Sequence, residues 1–126
     1  MKFSQPALIV FSGLSGTGKT ALARAMAAMI SAVYIRIDSL ETALKKSALA
    51  ITDGKDGGYQ AGYAIASDNL ANGLSVVADS VNPIDFTRDA WRAVGESRKC
   101  QVVEVEVVCS DEVEHRRRVE NRGQIS

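Results

Sequence analysis

The chain has 126 residues, and its 15 lysine and arginine residues balance its 15 aspartate and glutamate residues. This length predicts one domain, residues 1–126, that is large enough to bury most of its unfolded surface. Zero net charge argues against a dedicated nucleic-acid-binding protein, and no apolar run reaches the roughly 18 residues of a membrane span, so we expect neither nucleic acid nor a membrane as a partner.

Short β-rich segments alternate with helical patterns along the chain. The predicted strands are residues 7–12, 33–37, 74–78 and 101–109. The predicted helices are residues 19–31, 39–49, 59–70 and 83–96, the last of these capped by Asn82, and they are followed by a final helix that begins after Ser110. This order is typical of the α/β class, in which a parallel sheet is connected by crossover helices.

The side-chain pattern of several elements predicts how they pack. The first strand is a continuous apolar run, which is typical of a strand buried on both faces. The helical period of the first helix predicts that it packs on the sheet through Leu22, Met26, Met29 and Ile30. The last strand alternates valine with glutamate, which places it near a sheet edge. Cys100 and Cys109 flank that strand, too far apart for a disulfide, so we expect reduced thiols in a cytoplasmic protein. Trp91 is expected to be packed rather than to stack on a ligand.

The segment from Gly13 to Thr20, GLSGTGKT, matches the P-loop motif G-x-x-x-x-G-K-[ST] between a strand and a helix. Its glycines let successive backbone N–H groups point into one concavity, and the following helix N-terminus adds further donors. We therefore predict a nucleotide site formed by Gly13, Ser15, Gly16, Thr17, Gly18, Lys19 and Thr20. Lys19 supplies charge to the β and γ phosphates, and the Thr20 hydroxyl is a ligand for Mg²⁺.

Two aspartates end predicted strands. Asp38 follows the second strand and Asp79 follows the third, and the carboxyl ends of parallel strands face the ligand crevice. One of the two can hold Mg²⁺ through water while the other accepts a proton from a substrate hydroxyl. The alternative, which stays open here, is that each aspartate caps the helix that follows it.

Arginines provide a further group of candidates. Arg118 and Arg122 are four residues apart on the last helix, so they can close together over bound phosphates. The alternative is a solvated helix in which Glu114 pairs with Arg118. Three more arginines are candidate substrate contacts or ordinary surface charges: Arg36, Arg88 and Arg92.

The sequence resembles the small P-loop kinases, a group that includes chloramphenicol phosphotransferase, zeta toxins, gluconate kinase and adenylylsulfate kinase, and bacterial AAA-family ATPases. The segments that carry the resemblance are GLSGTGKT, YIRID, VVADSVNP with TRDAWR, and VVCSDEVEHRRRVENR. The resemblance implies a three-layer α/β/α fold with strand order 2-3-1-4-5, of which this chain is expected to lack the fifth strand. It also implies bound MgATP, a catalytic base at Asp38, Asp79 and Asn82 beside substrate or metal, and a lid that starts at residues 111–126.

These observations predict an ATP-dependent phosphotransferase that moves the γ-phosphoryl group to a hydroxyl of a small molecule. Its predicted catalytic residues are Lys19, Asp38 and Arg118, with Arg122 on the nucleotide. Its predicted substrate-binding residues are Asp38, Asp79, Asn82 and Arg88, and its metal-binding residues are Thr20 and Asp79. The alternative is a nucleotide-binding module or ATPase without transferase activity. Glu41 stands where relatives often carry an arginine that holds an anionic substrate. The last strand is expected to lack a neighbour on one side, and such an edge can pair with a second copy of the chain to form a homodimer.

Overall fold

Strands and helices alternate in the computed structural model, which describes residues 5–13, 17–47, 57–81 and 85–108. The strands are β1 (Ala7–Ser12), β2 (Val33–Arg36), β3 (Val76–Asp79) and β4 (Gln101–Glu106). The helices are α1 (Lys19–Ile30), α2 (Ile37–Lys46), α3 (Gly57–Ala71) and α4 (Asp85–Ser97). Over the described residues the predicted alternation is confirmed, with shifts of one to three residues at several ends, and the predicted last helix lies outside them.

The four strands form one parallel sheet in the order β2-β3-β1-β4. This is the expected order for strands one to four, and within the described residues β4 lies at an edge, as its alternating pattern predicts. In β1, Leu8 lies opposite Val76 of β3 and Val102 of β4. Because β1 has a neighbour on both sides and helices on both faces, all six of its residues are buried.

Alternate residues of the strands point into two separate apolar clusters. On one face, Leu8 and Val10 pack with residues of α2, α3 and α4, including Ile37, Leu70 and Trp91. The other face is covered by α1, where the cluster comprises Ile9, Phe11, Ala23, Ala27, Ile30 and Val77. The chain is therefore a three-layer α/β/α fold, as expected.

The buried face of α1 differs from the prediction. Leu22 and Met29 are 54% and 57% exposed, whereas Ala23 and Ala27 are buried beside Ile30. The predicted and the observed sets of residues both follow the helical period, so the sequence is compatible with two overlapping buried faces of α1. The small alanine side chains occupy the narrow space between α1 and the sheet, and the bulkier residues lie outside it.

Helix α2 begins earlier than predicted, directly after β2, and α3 begins at Gly57, two residues before the predicted start at residue 59. Both differences follow from close packing of the two helices. A Cβ atom at Gly62 would lie 2.6 Å from Cδ1 of Ile37, and one at Gly58 would overlap the side chain of Glu41. The absence of side chains at these glycines lets α3 approach α2, which stabilises helix at positions with poor helical propensity.

Helix α4 packs through Trp91, which is fully buried with its ring 4.7 Å from that of Tyr63, edge to face. The prediction that Trp91 has a packing role is confirmed. The Cys100 thiol is free, and Cys109 lies outside the described residues. In the described ranges, no helix combines the length and apolar character that crossing a membrane requires.

Adjacent substitutions in α1 test the observed orientation. We expect Ala23→Leu to lower the free energy of unfolding by about 1–3 kcal/mol, because the site between α1 and the sheet has no room for three more carbon atoms. Leu22→Gln, one position away, should change it by less than about 0.5 kcal/mol, because that side chain faces solvent. Urea unfolding monitored by circular dichroism measures both, and a larger effect at position 22 would contradict the structure.

Candidate functional site

The P-loop glycines adopt conformations that other residues rarely tolerate. Gly13 directly follows β1 and has φ +136°, and an added Cβ atom there would overlap the carbonyl oxygen of Val107. Gly18, at φ +86°, immediately precedes α1 and provides no side-chain cap for its first N–H groups. The predicted strand–glycine–helix context is confirmed, while Ser15 and Gly16 lie outside the described residues.

Four side chains meet where α1 begins, and we call them the Asp79 cluster: Lys19, Thr20, Tyr34 and Asp79. Nζ of Lys19 lies 3.0 Å from Oδ1 of Asp79, and these two side chains are only 10% and 2% exposed. The Tyr34 hydroxyl donates a hydrogen bond of 2.7 Å to Oδ2 of Asp79. The Thr20 side chain also hydrogen-bonds this carboxylate. Two predicted P-loop residues and one strand-end aspartate are thus brought together.

The sheet register explains why Tyr34 reaches Asp79. Tyr34 pairs with Val77 across β2 and β3, so Asp79 lies on the diagonal two residues further along β3. Side chains at i and i+2 of a strand share a face, and an aromatic side chain is long enough to span this diagonal. Tyr34 and Val77 both pack on the α1 side of the sheet. The sequence analysis did not identify Tyr34 as a member of this cluster. The feature of the sequence that could have indicated it is the hydroxyl group that Tyr34 carries in an otherwise apolar part of β2.

The pKa values of two cluster members reflect these contacts. Burial raises the pKa of Asp79, but hydrogen bonds from Tyr34, Lys19 and Thr20 and the charge of Lys19 outweigh it, so the pKa lies below its ordinary value. Burial, followed by the hydrogen bond to Asp79 and its charge, raises the pKa of Tyr34 well above the ordinary range. Asp79 is therefore a carboxylate near neutral pH, and Tyr34 is a neutral hydrogen-bond donor.

Asp38 occupies a different environment from Asp79. It lies in the first turn of α2 rather than directly after a strand, because β2 ends at Arg36 and α2 begins at Ile37. Its side chain is 64% exposed, and Oδ2 lies 3.6 Å from Nη2 of Arg36. The N-cap position of α2 is occupied by Arg36, so the capping alternative for Asp38 is wrong. Asp79 ends β3 six residues before α4 begins, so it does not cap that helix in the described structure.

Other predicted site residues lie elsewhere or outside the described part. Arg92 binds both carboxylate oxygens of Glu104 at 2.7 and 3.0 Å, which links α4 to β4 as a surface pair. The hydrogen bond from Arg92 and the charges of Arg92 and Arg88 lower the pKa of Glu104, which places Arg88 near β4. The remaining predicted residues lie outside the described ranges: Asn82, Arg118 and Arg122.

The donor set at the Asp79 cluster suits Mg²⁺ in the company of phosphates. Across residues 5–13, 17–47, 57–81 and 85–108, no group of three or more His, Cys, Asp or Glu side chains forms a metal cage. Mg²⁺ takes oxygen ligands and retains several waters, and in phosphate-binding sites the protein contributes only one or two of them. The hydroxyl of Thr20 and the carboxylate of Asp79, which are already in contact, fit that requirement.

Comparison with known proteins identifies relatives of the chain and of its fold. The sequence model of the AAA domain family matches residues 8–126. No match is found among curated proteins. Among solved structures, a candidate kinase from Chloroflexus aurantiacus is similar at TM-score 0.75 and 22% identity, covering 97% of this chain and 70% of that protein.

Two further solved structures have kinase names. The APS kinase CysC of Mycobacterium tuberculosis, in complex with AMPPNP and APS, has a TM-score of 0.69 and 20% identity over 97% of this chain and 73% of that protein. A gluconokinase from Sinorhizobium meliloti has a TM-score of 0.64 and 24% identity over 98% of this chain and 69% of that protein. At these identities the likeness is one of fold, and it confirms the expected small P-loop kinase architecture.

The pKa of Asp79 predicts how acid affects stability. A carboxyl whose pKa is lower in the folded chain than its ordinary value of 3.8 stabilises the fold above that value, and the contribution is lost as the pH falls through the lowered pKa. We expect the difference in unfolding free energy between the natural chain and Asp79→Asn to be greatest near neutral pH and to shrink below about pH 4. Urea unfolding at several pH values measures it, and a constant difference from neutral pH to about pH 3 would contradict this account.

Proposed function

The chain belongs to the AAA domain family, and we propose that it binds MgATP and transfers the γ-phosphoryl group to a hydroxyl of a small molecule. The observation that carries this proposal is the meeting of Lys19, Thr20 and Asp79 at the start of α1, next to the glycine turn that follows β1. A buried ammonium, a hydroxyl and a carboxylate lie beside the N-terminus of α1, whose first N–H groups have no partner within the helix, and this set matches the needs of a polyphosphate with its cation.

The phosphate-binding step uses Lys19 and the backbone. The ammonium of Lys19 is held by Asp79 at 3.0 Å, so it is already close to the position where the β and γ phosphates would lie above the α1 N-terminus. Phosphate oxygens compete with Asp79 for this ammonium. The predicted contacts of Gly13, Ser15, Gly16, Thr17 and Gly18 would add backbone N–H donors to the same oxygens.

Thr20 and Asp79 are the residues that would hold Mg²⁺. When bound, Mg²⁺ neutralises charge on the phosphate oxygens and orients them. Thr20 offers its hydroxyl from α1, and Asp79 offers its carboxylate from β3, either directly or through a water molecule. Because hydrogen bonds from Tyr34, Lys19 and Thr20 outweigh the effect of burial and keep Asp79 ionised, it is available as a ligand at neutral pH.

Asp38 is the better candidate for orienting the acceptor hydroxyl. The Asp79 carboxylate is engaged at both oxygens, whereas Asp38 is exposed and, among the described residues, has a single longer contact, to Arg36. In the proposed reaction the acceptor oxygen bonds to the γ-phosphorus, the bond to the β–γ bridging oxygen breaks, and the hydroxyl proton passes to Asp38. Arg118 and Arg122 would neutralise charge on the transferred group, and Asn82 would bind the acceptor, whereas Arg88 lies on the β4 side of the sheet, away from Asp38.

The acceptor class rests on the fold neighbours. Two of them are named as an APS kinase and a gluconokinase, which favours a small acceptor for this chain as well. ATP hydrolysis without an acceptor is a second candidate, because the exposure of Asp38 gives water access to the same carboxylate. The two functions differ in whether labelled phosphate appears on an organic product or as free inorganic phosphate.

Transfer from γ-labelled ATP to a panel of small hydroxyl compounds, with Mg²⁺ present, tests the proposal. We expect labelled product from at least one compound, and Lys19→Ala should weaken ATP binding about 10- to 100-fold because a charge-assisted contact to phosphate is lost. Lys46→Ala, at the far end of α2, is the matched control and should bind ATP normally. Binding of ATP with release of free phosphate alone would favour the hydrolase, and absence of ATP binding would refute both functions.

Substitution of Asp38 tests its role in the chemical step. With an acceptor from the panel, Asp38→Asn should lower kcat by about 10²- to 10⁴-fold and leave the Kd for ATP unchanged, because in the proposed reaction Asp38 contacts the acceptor and not ATP. Asp68→Asn, on the exposed surface of α3, is the control with the same change of charge. An unchanged kcat in Asp38→Asn would show that Asp38 does not accept the proton and that another group does.

A further inference from the structure

We propose that Tyr34 is a positioning residue that holds the Asp79 carboxylate in place when nucleotide and Mg²⁺ bind. This inference rests on the proposed function and adds to it a residue to which neither the P-loop motif nor the comparisons assign a role. Its basis is the hydrogen bond of 2.7 Å from the Tyr34 hydroxyl to Oδ2 of Asp79.

The three donors to Asp79 come from two parts of the fold. Lys19 and Thr20 belong to the first turn of α1, and both are groups that bound phosphates and Mg²⁺ would take over. Tyr34 belongs to β2, on the other side of Asp79 from the phosphate-binding turn. When Lys19 turns from Oδ1 to a phosphate oxygen and Thr20 to Mg²⁺, Tyr34 is the donor among the described residues that remains on the carboxylate.

Burial makes the remaining donor important. Asp79 is almost inaccessible to solvent, so water cannot freely replace a donor that the carboxylate loses. Without the Tyr34 hydroxyl, the Asp79 carboxylate is free to rotate once Lys19 has turned to the phosphates. Rotation removes an ordered ligand from the cation and leaves the phosphate contacts of Lys19 in place.

The structure holds Tyr34 firmly enough for this role. Its ring packs on the apolar cluster beneath α1, and pairing of β2 with β3 sets its position relative to Asp79. A tyrosine has only two rotatable side-chain bonds, so a packed ring presents its hydroxyl in a narrow range of positions. The hydrogen bond therefore fixes the position of the Asp79 carboxylate relative to the sheet.

The test measures the magnesium advantage, which we define as the Kd for an ATP analogue without Mg²⁺ divided by the Kd with Mg²⁺. Calorimetry with the non-hydrolysable analogue AMPPNP gives both values without any catalysis. Tyr34→Phe removes only the hydroxyl and should reduce the magnesium advantage about 10-fold, as expected for a hydrogen bond to a charged group. The Kd without Mg²⁺ should change by less than about twofold, because the phosphate contacts of the loop and Lys19 remain.

Two controls separate positioning from a general loss of stability. Tyr63→Phe makes the same chemical change in the other apolar cluster, beside Trp91, and should leave the magnesium advantage unchanged. In an Asp79→Asn background, Tyr34→Phe should have little additional effect, because the residue acts through that carboxylate. Thermal unfolding confirms that each variant is folded.

The outcomes are distinct from those of the proposed function. If the natural chain binds AMPPNP with a magnesium advantage and Tyr34→Phe retains it in full, the role of Tyr34 is refuted while the nucleotide site stands. An equal loss in Tyr63→Phe, or additive effects with Asp79→Asn, would also refute it. If the natural chain does not bind AMPPNP, the proposed function is refuted, and the inference about Tyr34 fails with it. If it binds AMPPNP without a magnesium advantage, the proposed Mg²⁺ site is refuted, and the inference fails as well.

Discussion

The buried contact between Lys19 and Asp79 constrains the arrangement of the elements around it. A charged group removed from water is costly unless a partner of opposite charge compensates for it, and loss of one partner leaves the other uncompensated. Lys19 lies at the first position of α1 and Asp79 at the last position of β3, so the pair connects elements that are distant in sequence. The α1 N-terminus is thereby held over the carboxyl end of the sheet, where a phosphate group can reach its free N–H groups.

Asp79 and Asp38, which follow neighbouring strands, lie in different chemical environments, and the contact of Asp79 with Lys19 is part of that difference. Asp79 is buried and receives hydrogen bonds that keep its pKa low, which suits a group that remains charged and stationary. Asp38 lies in the first turn of α2 and is accessible to solvent and to a second molecule. A carboxylate that orients a mobile acceptor needs such access, whereas a cation ligand needs order. Burial, rather than residue type, distinguishes the two proposed roles.

The fold and the chemistry rest on different observations. The parallel order β2-β3-β1-β4 and the likeness to solved kinases show the architecture, and an architecture of this kind carries many activities. The proposed phosphotransfer rests instead on particular side chains and on the glycine turn between β1 and α1. Tyr34 shows why this distinction matters, because it matches no motif and yet contacts the central carboxylate of the site.

The amino-acid sequence by itself determined the P-loop, the alternation of strands and helices, and the position of Asp79 at a strand end. These features depend on local signals: glycines that accept positive φ, helical and strand periodicity, and a motif of fixed spacing. Tertiary structure decided that α1 buries Ala23 rather than Leu22, that Asp38 belongs to a helix, and that Tyr34 reaches Asp79. Each of these depends on how closely elements far apart in sequence approach one another, and on strand register, which no local pattern specifies.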